Sequence, residues 1–135
     1  MIYMLDTNMC SYIIRSQPLY IKEKLKETEK NNTVSLSSIV VSELFYGAYK
    51  KNSDRLIKVI EDFINSFEIY EYGLNAAKEY GLIRADLERQ GLIIGAYDMQ
   101  IAAHAAALDA VLVTNNEREF KRIKELTIKN WTKKR

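Results

Sequence analysis

Four carboxylates lie where predicted strands and helices meet in this sequence. Asp6 follows an apolar run, Glu43 lies early in a helical pattern, and Asp98 opens an alanine-rich helical pattern. Glu119 follows the strand predicted at 111–114. In proteins that alternate strands with helices, ligands bind outside the carboxyl ends of the strands, so acids placed there can converge. Two carboxylates about 4 Å apart repel by about 4 kcal/mol at a protein surface. Because Mg²⁺ prefers oxygen ligands, the pattern predicts a metal site.

Each acid also has an ordinary structural explanation. Asp98 could cap its helix, a contribution of about 1 kcal/mol. Asp6, Thr7 and Asn8 could form a turn held by hydrogen bonds from side chains to the backbone. Glu43 could be a solvated residue on the flank of its helix. These explanations suffice for single residues, whereas the joint placement of the acids favours a functional site.

Other chemistries require motifs that this chain does not contain. Its five glycines form neither a phosphate-cradling loop nor a dinucleotide fingerprint. An aspartyl-phosphate enzyme could use Asp6 as its nucleophile, but its second acid would be expected two residues later, where the chain has Asn8. With one cysteine, Cys10, and one histidine, His104, the chain has no Cys- and His-rich zinc site. We expect Cys10 in the core and His104 to be solvated or structural.

Length and composition predict one domain over residues 1–135. Hydrophobic residues make up 47% of the chain and charged residues 28%, as in globular proteins. No apolar run reaches the roughly 18 residues that a membrane span requires, and the first residues do not have the pattern of a secretory signal. A single cysteine agrees with a reducing compartment. We therefore expect a cytoplasmic protein without a membrane contact.

The positive charge is concentrated at the end of the chain. Residues 117–135 contain eight Lys or Arg and three Glu, whereas residues 1–116 contain 12 basic and 15 acidic side chains. This basic end is the better candidate for contact with a polyanion. The alternative is a solvated tail, kept soluble by Lys133, Lys134 and Arg135.

Alternating patterns predict a three-layer α/β domain with a central parallel sheet flanked by helices. Ser37 or Ser38 is expected to cap the helix that carries Glu43, Pro18 to occupy the first turn of its helix, and Gly91 to end a helix in the left-handed conformation. Strands are predicted at 2–5, 33–36, 67–70, 111–114 and 127–129, and helices at 18–29, 38–51, 54–66, 74–90 and 98–108.

Four segments together resemble the PIN-domain ribonucleases, and specifically the VapC toxins of VapBC toxin–antitoxin modules. They occur in the family's order and spacing, and the resemblance runs from Met1 to about Trp131. The segments are Met4-Leu5-Asp6-Thr7-Asn8, Ser42-Glu43-Leu44-Phe45-Tyr46-Gly47, Tyr97-Asp98-Met99-Gln100-Ile101-Ala102-Ala103-His104 and Val113-Thr114-Asn115-Asn116-Glu117-Arg118-Glu119-Phe120.

The resemblance implies a set of acidic site residues. Asp6, Glu43 and Asp98 are three of them, and the fourth position falls between residues 115 and 119. Many family members have an Asp where this chain has Asn116, and Glu119 can supply the missing carboxylate. We expect Asp6 and Asp98 to bind Mg²⁺ or Mn²⁺ directly, with Glu43 as a ligand or a base and Asn116 or Glu119 completing the shell.

The resemblance also implies a metal-dependent endoribonuclease that acts as a toxin and inhibits translation. Its substrate would be a tRNA or another structured RNA with a single-stranded loop. Its partners would be a second copy of the chain and a VapB-like antitoxin whose tail covers the site, in a larger assembly that the antitoxin attaches to operator DNA. The alternatives are a non-catalytic PIN-fold protein that binds RNA or a partner, and a metal-dependent DNA nuclease or phosphatase.

Two groups of residues are candidates for contact with RNA. Exposed aromatic rings can stack on unpaired bases, and Tyr46, Tyr49 and Tyr97 are the candidates for this role. The polar and basic candidates are Thr7, Asn8, Thr114, Asn115, Asn116 and Arg118, with Lys121 and Arg122 nearby.

Overall fold

Short runs rich in β-branched and apolar residues form one parallel sheet in the computed structural model, which describes residues 1–133. Neighbouring strands all run parallel, in the order β3-β2-β1-β4-β5. The predicted α/β fold and its parallel sheet are confirmed, and each predicted strand is present. The strands are β1 (Ile2–Leu5), β2 (Thr33–Ser37), β3 (Glu68–Tyr70), β4 (Val111–Val113) and β5 (Thr127–Lys129).

Helices connect these strands and cover the sheet. Crossovers between parallel strands are almost always right-handed, so the path from β1 to β3 and the return path to β4 and β5 place their helices on opposite faces. The helices are α1 (Thr7–Arg15), α2 (Leu19–Glu29), α3 (Ser38–Lys50), α4 (Asp54–Ile64), α5 (Leu74–Gln90), α6 (Ala96–Ala107) and α7 (Glu117–Phe120). Accordingly, α1 packs against α2 and α3, and α5 packs against α6.

Helices α1 and α7 are absent from the pattern-based prediction. Helix α1 follows β1 after a single residue, so residues 6–8 form a helix start and not a turn. Its buried residues Met9, Cys10 and Ile13 lie on one face and confirm Cys10 as a core residue. Helix α7 has four residues, which is too short for a helical repeat of apolar residues to be visible in the sequence.

The start of α6 corrects one prediction. The helix begins at Ala96 after the N-cap Gly95, which makes no side-chain capping hydrogen bond. Asp98 is therefore the third residue of the helix and does not cap it. A carboxylate in the first turn of a helix is favoured by the helix dipole, an effect that opposes the burial and the neighbouring acids that raise the pKa of Asp98.

Three other boundaries were predicted from local chemistry. Ser37 caps α3 by accepting a hydrogen bond from the Ile39 N–H at 3.1 Å, and Gly91 ends α5 with a left-handed φ of 69°. Both predictions are confirmed. Pro18 is the N-cap residue of α2, which begins at Leu19, so the predicted start of that helix is early by one residue.

The core lies between the sheet and its helices. Met4, Leu5, Leu36 and Leu112 are fully buried strand residues at its centre. Among the described residues, no helix combines the length and the apolar character needed to cross a membrane.

His104 is a structural residue. It is buried, its Nδ1 lies 2.8 Å from the Ser37 Oγ, and its ring packs edge-on against Tyr72 with the centroids 5.6 Å apart. Burial lowers the pKa of His104, so the neutral ring is favoured in the folded protein. Of the two roles expected for His104, the structural one is confirmed.

Candidate active site

The candidate active site lies where the strand order reverses. The chain passes from β1 to β2 on one side, whereas β4 pairs with the other edge of β1. In open α/β sheets, a crevice that binds ligands forms at such a point, beyond the carboxyl ends of the strands. Leu5 pairs with Val113 at these ends, and the Asp6 N–H donates to the Val113 carbonyl at 3.0 Å. Asp6 and Thr114, the residues that directly follow the two strands, therefore lie side by side.

Asp6 is the most enclosed of the four acids. Its side chain is 6% exposed, and one carboxylate oxygen accepts a hydrogen bond from the Met9 N–H at 2.8 Å as the N-cap of α1. Hydrogen bonding with the Thr114 side chain also favours its charged form. The capping bond fixes one oxygen of the carboxylate.

Glu43 is held in place by Thr7. The Thr7 hydroxyl donates to Glu43 Oε1 at 2.6 Å, which joins the first turn of α1 to α3. Gly47, one turn further along α3, has open space where a side chain would begin, and it lines a cavity of about 250 Å³ together with Thr7 and Glu43. The carboxylate is therefore oriented by the protein and remains next to open space.

The loop after β4 provides the fourth acid. Asn116 is the N-cap residue of α7, but its side chain makes no capping hydrogen bond. Its side-chain amide instead donates to Glu119 Oε1 at 2.6 Å. The Asn116 N–H donates to the Thr114 hydroxyl at 2.9 Å. Both residues predicted as alternatives for the fourth position thus belong to one hydrogen-bonded pair, in which Asn116 orients Glu119.

Two of the four acids, Asp6 and Asp98, are close enough to other acids for their pKa values to be raised. Burial raises the pKa of Asp6 from 3.8 to about 6, and the negative charges of Asp98 and Glu43 add to this effect. Burial, then Glu119, then Glu43 raise the pKa of Asp98. Negative charge from different elements of the fold therefore accumulates at the β1/β4 crevice.

The donor set fits a hard divalent cation. Within residues 1–133, no three carboxylate, imidazole or thiol side chains come close enough to hold one ion together. Mg²⁺ is commonly held by one or two carboxylates, with water and substrate phosphate completing its octahedron. Asp6 and Asp98 provide two carboxylates of this kind, while Thr7 and Asn116 each occupy one oxygen of Glu43 and Glu119. Every donor atom of these side chains is an oxygen. Burial, followed by the neighbouring negative charges, disfavours the charged forms of Asp6 and Asp98, and a bound cation would offset both effects.

The residues predicted to contact RNA differ in accessibility. Asn8 and Arg118 are exposed. Thr114 is fully buried beside Asp6, a position in which it supports that carboxylate and cannot reach an RNA strand. Asn115 donates from its side-chain amide to the Tyr12 hydroxyl at 3.0 Å. Tyr12 lies on α1, and because that helix is not predicted, the sequence gives no sign of this contact.

Several basic side chains of the C-terminal end make contacts within the protein, which limits their availability to a polyanion. Lys133 lies 2.8 Å and Lys121 lies 3.8 Å from carboxylate oxygens of Glu117. Arg122 donates to the carbonyls of Leu92 and Ile93 at 3.2 Å, which fastens the segment before α6. Lys134 and Arg135, two of the predicted tail residues, lie outside the described residues.

Comparison with known proteins identifies the family. The model of the PIN domain family matches residues 3–126 of the chain. This protein belongs to the PIN-domain family. Within that family it is similar to the ribonuclease VapC2 of Rickettsia felis, with 46% identity over 134 residues that cover 98% of this chain and 100% of the relative.

Two further comparisons place this PIN-domain protein among the VapC proteins. The tRNA(fMet)-specific endonuclease VapC of Salmonella typhimurium is 42% identical over 130 residues, which cover 96% of this chain and 97% of the relative. The crystal structure of VapBC2 from Rickettsia felis bound to a promoter DNA fragment contains a chain with a TM-score of 0.92 and 45% identity, covering 97% of this chain and 99% of that one. The resemblance stated from the four motifs is thereby confirmed.

Proposed function

We propose that this PIN-domain protein is a metal-dependent endoribonuclease and the toxin of a toxin–antitoxin pair. The observation that carries the proposal is the convergence of Asp6, Glu43 and Asp98 at the β1/β4 crevice, where, in addition to burial, the charges of Asp98 and Glu43 raise the pKa of Asp6 and the charge of Glu43 raises that of Asp98. Relatives named ribonuclease VapC support the same reaction class.

In this proposal Asp6 and Asp98 bind Mg²⁺ directly, and Mn²⁺ can replace it because it accepts the same oxygen ligands. Glu43 and Glu119 are the further ligands or bases. The chemistry that the ion supplies when bound is stabilisation of negative charge on the scissile phosphate and a lower pKa for water, from about 15.7 towards 7.

The side chains of the protein provide orientation and proton transfer. The cap that Asp6 forms with the Met9 N–H fixes its carboxylate before the substrate arrives. Thr7 holds one oxygen of Glu43 and leaves the other free to accept a proton from the attacking water. Positioned groups of this kind reduce the reorganisation needed to reach the transition state. His104 lies in the core and takes no part.

The proposed substrate is RNA with an unpaired loop, and a tRNA is the first candidate. The relative from Salmonella typhimurium that is 42% identical is named a tRNA(fMet)-specific endonuclease. Unpaired loops expose bases that a protein can stack and distinguish. Cleavage of a tRNA would inhibit translation, and the place of action would be the cytoplasm, where translation occurs.

The proposed partners are a VapB-like antitoxin and a second copy of the chain. Two of the similar solved structures are VapBC complexes bound to DNA, one from Rickettsia felis and one from Salmonella typhimurium. We propose that the antitoxin tail covers the acidic site and that the antitoxin attaches the assembly to operator DNA. Covering the site would keep the nuclease inactive until the antitoxin is removed.

Substrate class can be tested with the protein freed of antitoxin. Total tRNA, single-stranded DNA and a simple phosphate ester are incubated with it in Mg²⁺, and the products are resolved on gels. The proposal predicts discrete tRNA fragments and no turnover of the other two. Cleavage of DNA or of the ester at a similar rate would favour a broader nuclease or a phosphatase. Binding of tRNA without any cleavage would favour the non-catalytic alternative.

A further inference from the structure

A second cavity adjoins the acidic site on the side of α3 and α6. Its volume is about 480 Å³, and it is lined by Thr7, Ser42, Glu43, Tyr46 and Tyr97. Since Thr7 and Glu43 are hydrogen-bonded to each other at 2.6 Å, the wall of this cavity includes part of the proposed active site. A molecule bound in it would lie directly beside Glu43.

Two tyrosine rings at this cavity are free to contact a ligand. Tyr46 is 65% exposed and Tyr97 is 60% exposed. Tyr46 follows Glu43 by three residues on α3, a spacing that places both on one side of the helix. Tyr97 immediately precedes Asp98 in the first turn of α6. Each ring therefore lies on the same helix as one of the proposed site acids and close to it in sequence.

A cation lies beside one of these rings. The Lys50 Nζ is 5.9 Å from the centroid of the Tyr46 ring. This distance is within the range of a cation–π contact. A lysine near the aromatic ring also adds positive charge next to an otherwise acidic site, which suits a ligand that carries both a planar ring and a phosphate.

The third candidate tyrosine has a different environment. Tyr49 is 62% exposed, nearly as much as Tyr46, and it lies on the same helix. Its ring is stacked on Phe45, with the centroids 5.9 Å apart, and it does not line the cavity beside Glu43. The three tyrosines are similarly exposed, but only Tyr46 and Tyr97 line the cavity beside Glu43.

We propose that this cavity is a subsite for one unpaired nucleobase of the RNA, next to the phosphodiester that is cleaved, with the base stacked on Tyr46 and Tyr97. The inference rests on the proposed ribonuclease function. Aromatic stacking is tolerant of base identity, because every base has a π face. The hydroxyls of Thr7 and Ser42 on the same wall already donate to Glu43 and to the Ser38 carbonyl, so each can offer the edge of a base only an acceptor oxygen.

The neighbouring cavity of about 250 Å³ provides a contrast. It shares Thr7 and Glu43, but its other lining residues are aliphatic, small or charged, among them Ile14, Leu44 and Leu56. No aromatic ring lines it. Of the two cavities beside Glu43, the one between α3 and α6 therefore has the chemistry for a nucleobase.

The test measures RNA binding in the Asp98→Asn background, where cleavage is expected to be absent. The probe is a fragment of an RNA that the wild-type protein cleaves, with 2-aminopurine placed on either side of the mapped cleavage position. Tyr46→Ala and Tyr97→Ala are each expected to weaken binding by roughly tenfold, within the range for loss of a base–aromatic stack, and to abolish quenching of the probe. Tyr46→Phe and Tyr97→Phe retain the ring and should preserve both signals.

Tyr49→Ala is the matched control, because Tyr49 has nearly the same exposure on the same helix. It should leave the dissociation constant and the quenching unchanged, and circular dichroism of each variant verifies the fold. Unchanged binding and quenching in both alanine variants at the cavity would overturn the subsite. So would alanine variants that lose binding to the antitoxin but not to RNA. Absence of RNA cleavage by the wild-type protein would overturn the proposed function together with the subsite, whereas normal cleavage with unaffected variants would overturn the subsite alone.

Discussion

The Thr7 hydroxyl donates a hydrogen bond to Glu43 Oε1 at 2.6 Å and thereby joins two helices that are separated by a strand and a further helix in the sequence. Thr7 is the first residue of α1, directly after Asp6. The position of Glu43 therefore depends on the same helix start that places Asp6. A change at Thr7 should affect catalysis without removing any of the four acids.

Replacement of Thr7 by Val removes this hydrogen bond while preserving the branched shape of the side chain. A hydrogen bond to a charged group contributes about 1.5 to 3 kcal/mol, and Glu43 is only half-buried, so we expect cleavage to slow by roughly tenfold. Thr7→Ser keeps the hydroxyl and should remain close to wild type. Initial rates at saturating RNA measure the effect. Equal rates for the Val and Ser variants would show that the bond does not position Glu43.

The charge on Asp6 should destabilise the metal-free protein at neutral pH. Its pKa in the folded protein is raised from 3.8 to about 6, so the folded state binds more protons than the unfolded state between these values, and stability decreases as the pH rises through this window. Above it, the cost is about 3 kcal/mol at 1.36 kcal/mol per pKa unit. Asp6→Asn should therefore be more stable than wild type at pH 7.5 in EDTA, and about equal to it at pH 4.

The measurement is urea unfolding of both proteins across this pH range. Asparagine is as good a helix N-cap as aspartate, so the hydrogen bond from the Met9 N–H is preserved. His104, whose pKa is lowered by burial, makes the protein less stable as the pH falls, but it contributes equally to both proteins and disappears from the difference. A difference that does not change with pH would show that Asp6 has an ordinary pKa.

Asn116→Asp should strengthen Mg²⁺ binding and lower the stability of the folded protein when the ion is absent. Its side-chain nitrogen lies 2.6 Å from Glu119 Oε1, and a carboxylate there would repel that of Glu119. In EDTA at pH 7.5 we expect a lower melting temperature than for wild type. Added Mg²⁺ should raise it more than in wild type, since ligand stabilisation grows as the dissociation constant falls.

Asn75→Asp, the same change at an exposed position in the first turn of α5, is the control for this variant. It should respond to Mg²⁺ as wild type does. A thermal shift in Asn116→Asp that equals that of wild type and of the control would mean that position 116 does not contribute to the ion site. Differential scanning fluorimetry over a range of Mg²⁺ concentrations provides all three curves.

The fold was predictable because its strands are short apolar runs bounded by polar residues and its longer helices repeat apolar residues. The predicted strands are all present. Helix α1 was missed because it begins only one residue after β1, and the polar residues Asp6, Thr7 and Asn8 at its start also fit a turn. Helix α7 is too short to show a repeat.

The placement of the acids was predictable in outline, and their partners were not. A carboxylate after a strand and one near a helix start can be located from local patterns. The hydrogen bonds from Thr7 to Glu43 and from Asn115 to Tyr12 link residues 36 and 103 positions apart. They depend on how α1 packs, which the sequence patterns did not include. The burial of Thr114 likewise follows from the close approach of β1 and β4.

Cleavage of total cellular RNA by the antitoxin-free protein tests the central claim most directly. Three reactions are compared: wild type with Mg²⁺, wild type with EDTA, and Asp98→Asn with Mg²⁺, with folding verified by circular dichroism. We predict discrete fragments in the first reaction only, because catalysis requires both the ion and the Asp98 carboxylate. The same products in all three reactions, or none in any of them, would contradict a metal-dependent ribonuclease centred on this site.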